Sequence, residues 1–140
     1  QETTITRVAI TTEADAERKG TEMGRKYIIP YALYRAEGYI SAKLAQKTTG
    51  FSEDDLELLW DAIINMFEED HSAARGKMAV RKLVIFKHRD ELGNAPSHRT
   101  LNLVSAKRRD GVEVPRSISD YEIKIDFDAC PEGVEIICRD

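Results

Sequence analysis

Cysteine is scarce in this chain, long apolar runs are missing, and no catalytic fingerprint can be found. Only Cys130 and Cys138 occur among the 140 residues. Two cysteines are too few for a disulfide framework, and no second pair completes a zinc site, so free thiols in a reducing cytoplasm are the expectation. No apolar stretch approaches the roughly 20 residues that a membrane-spanning helix needs, and no secretory segment is visible. Gly-x-Ser-x-Gly, Walker-type phosphate loops and dinucleotide-binding glycine patterns are all missing. His71, His88 and His98 lack the i, i+4 pairing of a helical metal site. Neither a cofactor nor a metal is expected, and no residue is assigned a catalytic role.

One short motif invites a catalytic reading. The segment HRDELGN, His88 to Asn94, resembles a kinase catalytic loop but falls one residue short between Asp90 and Asn94. No glycine loop or Asp-Phe-Gly motif accompanies it, so coincidence is the better reading. Asp126 and Asp128 lie on the charged side of an alternating segment, where a solvated ladder explains them better than acid-base work.

What the chain does have suits one soluble domain over residues 1–140, with 41% hydrophobic and 33% charged residues. It starts without methionine on QETTITRVAI, a strand-like alternation that reads as entry in mid-domain. An open sheet edge is expected there, able to recruit a strand from a second copy. Tyr27 to Ala45 is rich in aromatic and β-branched residues and reads as a buried strand. Pro30 marks an edge or bulge in it, and Ala42 to Lys47 is open to a helical turn. The clearest element follows. Ser52 precedes a first turn of acids, and Leu56, Leu59, Trp60, Ile63 and Phe67 recur at helical spacing, which predicts a helix over Glu53–Asp70. RKLVIFKH predicts a short strand, and TLNLVSAKRRDGVEVP two strands around Asp110-Gly111. YEIKIDFD predicts a strand with Tyr121, Ile123, Ile125 and Phe127 on one face. VEIIC, after a turn at Pro131-Glu132-Gly133, is the last strand. A helix among mostly antiparallel strands makes the class α+β.

Charge is segregated along the chain. The net charge is −4, yet Glu53 to Asp70 carries eight acids and no base, and His71 to Arg89 carries six bases and no acid. Three readings fit. One is a solvated helix beside an ordinary basic loop. Another is a phosphate-tracking groove made by SAARGKMAVRK with the cations Arg18, Lys19, Arg25 and Lys26. A third is head-to-tail packing of acidic on basic faces between copies, which builds filaments.

The segments MGRKYIIPYALYRAEGYISAKLA, SAARGKMAVRKLVIFKH, LGNAPSH and RRDGVEVPRSISDYEIKID, with the acidic helix among them, carry a further signal. In that order they resemble the C-terminal half of the backbone subunit of type I-C CRISPR interference complexes, the Cascade subunit that coats guide RNA. The resemblance implies an incomplete RNA-recognition-motif-like, ferredoxin-like antiparallel sheet with one major helix. It implies a cytoplasmic, non-enzymatic protein of antiviral defence that polymerises along the guide RNA and presents it to target DNA. Implied partners are the guide RNA, the paired target DNA, other copies of the same subunit and other Cascade subunits.

The family's thumb hairpin would fall at about 11–26, and a basic, glycine-bearing hairpin suits a phosphate backbone. Arg18, Lys19, Arg25 and Lys26 are the expected RNA contacts there, with Met23 as an apolar wedge between bases. Arg75, Lys77, Arg81 and Lys82 are expected to follow the RNA near Gly76. Tyr27, Tyr31 and Tyr34 suit either stacking or core. The AKRRDG turn suits contact with a neighbouring subunit or DNA, or no contact at all. Two other functions fit the residues less fully. One is a metal-independent CRISPR repeat ribonuclease acting through His71, His88 or His98, and the other is a protein-interaction module.

Overall fold

The computed structural model describes residues 2–8, 21–72 and 76–140. The chain divides into two compact units, one of Gln1–Arg35 with Lys107–Glu122 and one of Ala36–Ala106 with Ile123–Asp140. The architecture is α+β, built from small antiparallel sheets and a few helices, and it is compatible with an incomplete RNA-recognition-motif-like fold.

In the first unit β1 (Glu2–Val8) pairs antiparallel with β2 (Thr21–Tyr27). β-branched residues dominate β1, as a pleated ribbon favours. The same unit holds the connection that follows Arg108. Tyr31 packs there against Tyr121, with ring centroids 6.2 Å apart.

The second unit holds a 17-residue helix and one antiparallel pair of strands. A three-residue α1 (Ala42–Leu44) runs into a π turn (Ala45–Thr49), which Gly50 ends at φ 68°. Then comes α2 (Glu53–Glu69). Its Ser52 side chain accepts from the Asp55 backbone N–H, and the Asp55 carboxylate accepts from the Ser52 N–H at 2.8 Å, a reciprocal cap. Its apolar residues Leu56, Leu59, Trp60, Ile63 and Phe67 are half-buried. β3 (Leu83–His88) pairs antiparallel with β6 (Val134–Arg139), from Leu83↔Arg139 to His88↔Val134. The charges sort accordingly. Arg139 Nη2 meets Glu57 at 2.6 Å and Lys87 Nζ meets Glu53 at 3.5 Å, so acids of α2 pair with cations of the two strands.

A short α3 (Ser97–Leu101) precedes β4 (Val104–Arg108), and β4 pairs with β5 (Tyr121–Ile125) after a single 3-10 turn over Ile118–Asp120. Thr100, 3% exposed, and Leu103, 9% exposed, are the most deeply buried of the described residues. The Thr100 hydroxyl donates to the Ser97 carbonyl, which satisfies it.

Three expectations from the sequence require correction. Residues 28–41 form no strand, and Ile29, Tyr34 and Tyr39 are about seven-tenths exposed. Pro30 removes a ladder donor in this stretch, and no strand among the described residues pairs with it. The segment VEVP is not a strand either. Asp120 accepts from the N–H groups of Arg116 and Ser117, and this local bonding turns the chain into β5, which takes the pairing partner's place beside β4. Phe127 lies past the end of β5 and is exposed.

Two glycines with positive φ set up a contrast. At Gly133 (φ 78°) a Cβ would lie 2.8 Å from Asn94, which cannot withdraw freely. Asn94 accepts from the Asp90 N–H, donates to the Asp90 carboxylate, and gives its own N–H to His88 Nδ1 at 2.8 Å. At Gly111 (φ 81°) a Cβ would meet nothing. Gly111→Ala should therefore lose about 1–2 kcal/mol for backbone strain alone, and Gly133→Ala distinctly more, as chemical denaturation will measure. Asp55 adds a pH dependence. The two Ser52 hydrogen bonds, backbone first, hold its carboxyl below the ordinary 3.8. A depressed carboxyl stabilises the fold above its ordinary value, and that stabilisation is lost as pH falls through the folded value. In acid titrations followed by circular dichroism, Asp55→Asn should be less stable at neutral pH and flatter below about pH 4.

Candidate nucleic-acid interface

Side chains alternate across a strand, so the β1–β2 register decides which residues share a face. Met23, Arg25 and Tyr27 fall on one face of β2, opposite Thr6, Thr4 and Glu2 of β1. Gly24 and Lys26 fall on the other, opposite Ile5 and Thr3. The first face is open to solvent: Met23 is 76% and Tyr27 77% exposed, and the Arg25 side chain 79%. An apolar side chain, a guanidinium and an aromatic ring thus stand in a row at two-residue spacing along one edge of the ribbon.

Arg25 Nε lies 3.2 Å from Glu2, its diagonal neighbour across the strands. Both groups are well exposed, and such pairs stabilise by less than about 1 kcal/mol. A phosphate, which a guanidinium can grip with two parallel N–H bonds, displaces such a carboxylate at little loss. Lys26 has no carboxylate partner among the described residues. Of the three tyrosines open to stacking or packing, Tyr31 is taken up by Tyr121, while Tyr27 and Tyr34 stand free.

Lys77, Arg81 and Lys82 lie in the second unit, ahead of β3. Gly76 takes φ 67° and donates its N–H to the Ser72 carbonyl, and Lys77 follows it directly. Lys77 and Arg81 are exposed, whereas Lys82 Nζ is held by Asp140 at 2.5 Å. Arg25 and Lys26 belong to the first unit and these three to the second. Arg18, Lys19 and Arg75 lie outside the described residues, as does most of the 11–26 hairpin segment.

Residues 1–126 match the family model for CRISPR-associated protein Cas7. The chain belongs to that family. Membership carries a CRISPR-associated, RNA-binding backbone role, with guide RNA and the other subunits of the interference complex as partners. No curated protein matches the chain.

Other clusters have local uses. His88 Nδ1 accepts the Asn94 N–H at 2.8 Å. HRDELGN is thereby a closed turn, with Asn94 bridging Asp90 and His88. Among the described residues no group of three or more His, Cys, Asp or Glu is placed to hold a metal, and no helix is long and apolar enough to cross a membrane.

Sequence reasoning put Tyr27 at the head of an apolar strand, whereas it closes β2 in step with Met23 and Arg25. The signal was present in the period-two spacing of MGRKY, which the run of apolar residues after it obscured. The AKRRDG turn, left open in the sequence between contact with a neighbouring subunit or DNA and no contact, has Lys107, Arg108 and Arg109 exposed, as is Arg116, which the sequence reading did not single out.

Proposed function

We propose that the chain is a non-catalytic, cytoplasmic guide-RNA-binding backbone subunit of a type I-C interference complex. In this reading several copies line up along the guide RNA, hold its backbone with cations, and leave its bases to pair with target DNA. The division of labour is the usual one for RNA-guided recognition, in which base pairing reads sequence and protein reads the backbone.

The observation that carries the reading is the exposed Met23–Arg25–Tyr27 row on β2. Proteins that track single-stranded nucleic acid combine cations for phosphates with flat aromatic faces for bases, and this row supplies both. Met23 is apolar, as a wedge between bases requires. Lys26 adds charge from the reverse face of the same strand. The type I-C assignment is supported by the long ordered segments of sequence resemblance. Pairing of Glu53, Glu57 and Asp61 with Lys87 and Arg139 gives the acidic helix an internal use, which weakens the reading of the charge segregation as an intermolecular device.

Titration with a labelled guide RNA at several salt concentrations tests this reading. Neutralising two phosphate contacts through Arg25→Gln and Lys26→Gln should lower the log–log salt slope by about 1.4, at about 0.7 per contact on a single strand. Tyr27→Ala should weaken binding by about 1–3 kcal/mol with the salt slope unchanged, and Tyr27→Phe should restore it. Folded variants that bind the guide like the parent would overturn the reading.

A further inference from the structure

The end of β4 and the connection from it to β5 carry four exposed cations, interspersed with acids that form no ion pair with them. Lys107, Arg108, Arg109 and Arg116 lie within ten residues of a chain whose net charge is −4. All four are exposed, and none makes an ion pair with any described carboxylate. Acids lie close by, but their carboxylates do not meet the four cationic side chains. The Asp120 carboxylate accepts from the Arg116 N–H at 2.6 Å and from the Ser117 N–H at 2.9 Å, bonds that hold its carboxyl below the ordinary range. Asp110 and Glu113 come within ion-pair distance of none of the four cations.

The guanidinium groups are also positioned. Arg108 Nη1 donates to the Glu113 carbonyl at 2.8 Å, and Arg109 Nε donates to the Ser119 carbonyl at 2.9 Å. Each arginine therefore uses one N–H to anchor itself to the loop and keeps the others for a ligand. The loop itself is held by the Arg109 N–H on the Asp120 carbonyl and by the left-handed turn at Gly111. Side chains fixed in advance lose less entropy on binding than free ones, and a guanidinium fork fits phosphate oxygens in bidentate fashion.

We infer that the end of β4 and the loop that follows it form a second phosphate-binding site, taking the phosphodiester backbone of a nucleic-acid strand through Lys107, Arg108, Arg109 and Arg116. It uses residues other than those of the β2 row, and the family's RNA-binding role makes a phosphate polyanion a closer fit than an acidic protein segment. The strand is either the guide itself or a second strand brought to the guide-loaded protein.

Lys107→Gln with Arg116→Gln tests the site without touching the two anchoring side-chain bonds, and Arg108→Gln with Arg109→Gln tests the anchored pair. Three binding titrations are read between about 50 and 200 mM salt: guide RNA on the free chain, a complementary strand on the guide-loaded chain, and a non-complementary strand on the guide-loaded chain. Loss of two contacts should lower the salt slope by about 1.4, so the parent should lose about sevenfold more affinity than the variant over that range. A change in the guide titration assigns the site to the guide backbone, and a change confined to the second-strand titrations assigns it to that strand. Unchanged slopes in all three, with the variants folded by circular dichroism, overturn the inference, and so does weakened self-association with nucleic-acid binding intact. Arg25→Gln with Lys26→Gln run alongside keeps the two sites apart, because a loss in that variant alone leaves the β2 reading standing and removes this one.

Discussion

The register between β1 and β2 is the constraint on which the functional face depends. Seven consecutive pairs, from Glu2↔Tyr27 to Val8↔Thr21, fix which side chains point together. A slip of one residue would replace Met23, Arg25 and Tyr27 with Gly24 and Lys26 on that face, removing the aromatic plane and the apolar tip together. Nothing about the individual residues makes a nucleic-acid surface. Their common orientation does, and a backbone ladder produces it.

The second unit has a different logic. There the acids of α2 reach the cations of β3 and β6, and the apolar stripe of the helix is half-buried. The Arg139–Glu57 and Lys87–Glu53 pairs are partly exposed. Pairs of that kind orient more than they stabilise, whereas the half-buried residues of α2, from Leu56 to Phe67, contribute through apolar area removed from water. Charge that is segregated along the sequence is thus partly rejoined within the unit.

Much of this was legible in the sequence wherever a periodic pattern met a clear boundary. Ser52 followed by Asp55 announces the start of α2, and the reciprocal cap is present as those residue types require. The strands of RKLVIFKH and VEIIC were legible for the same reason, short apolar runs between a basic flank and a glycine turn. Residues 28–41 were misread because aromatic and β-branched composition states a preference for strand without supplying a partner. The short α3 went unseen, although Thr100 and Leu103 in and beside it are the most buried of the described side chains. Five residues are too few to establish a helical period. The segment from Lys107 to Arg116 stayed undecided in sequence, between contact and none, because acids are interspersed with its bases. Only the hydrogen bonds of Asp120, Arg108 and Arg109 reveal that those acids do not neutralise the cations.

Photocross-linking of bound guide RNA, with the adducts mapped by mass spectrometry, tests the central claim most directly, because it asks which face of β2 meets the nucleotide. The exposed row predicts an adduct at Tyr27, with a weaker one at Met23. An RNA that binds the folded chain but cross-links only to residues outside β1 and β2 would contradict the assignment.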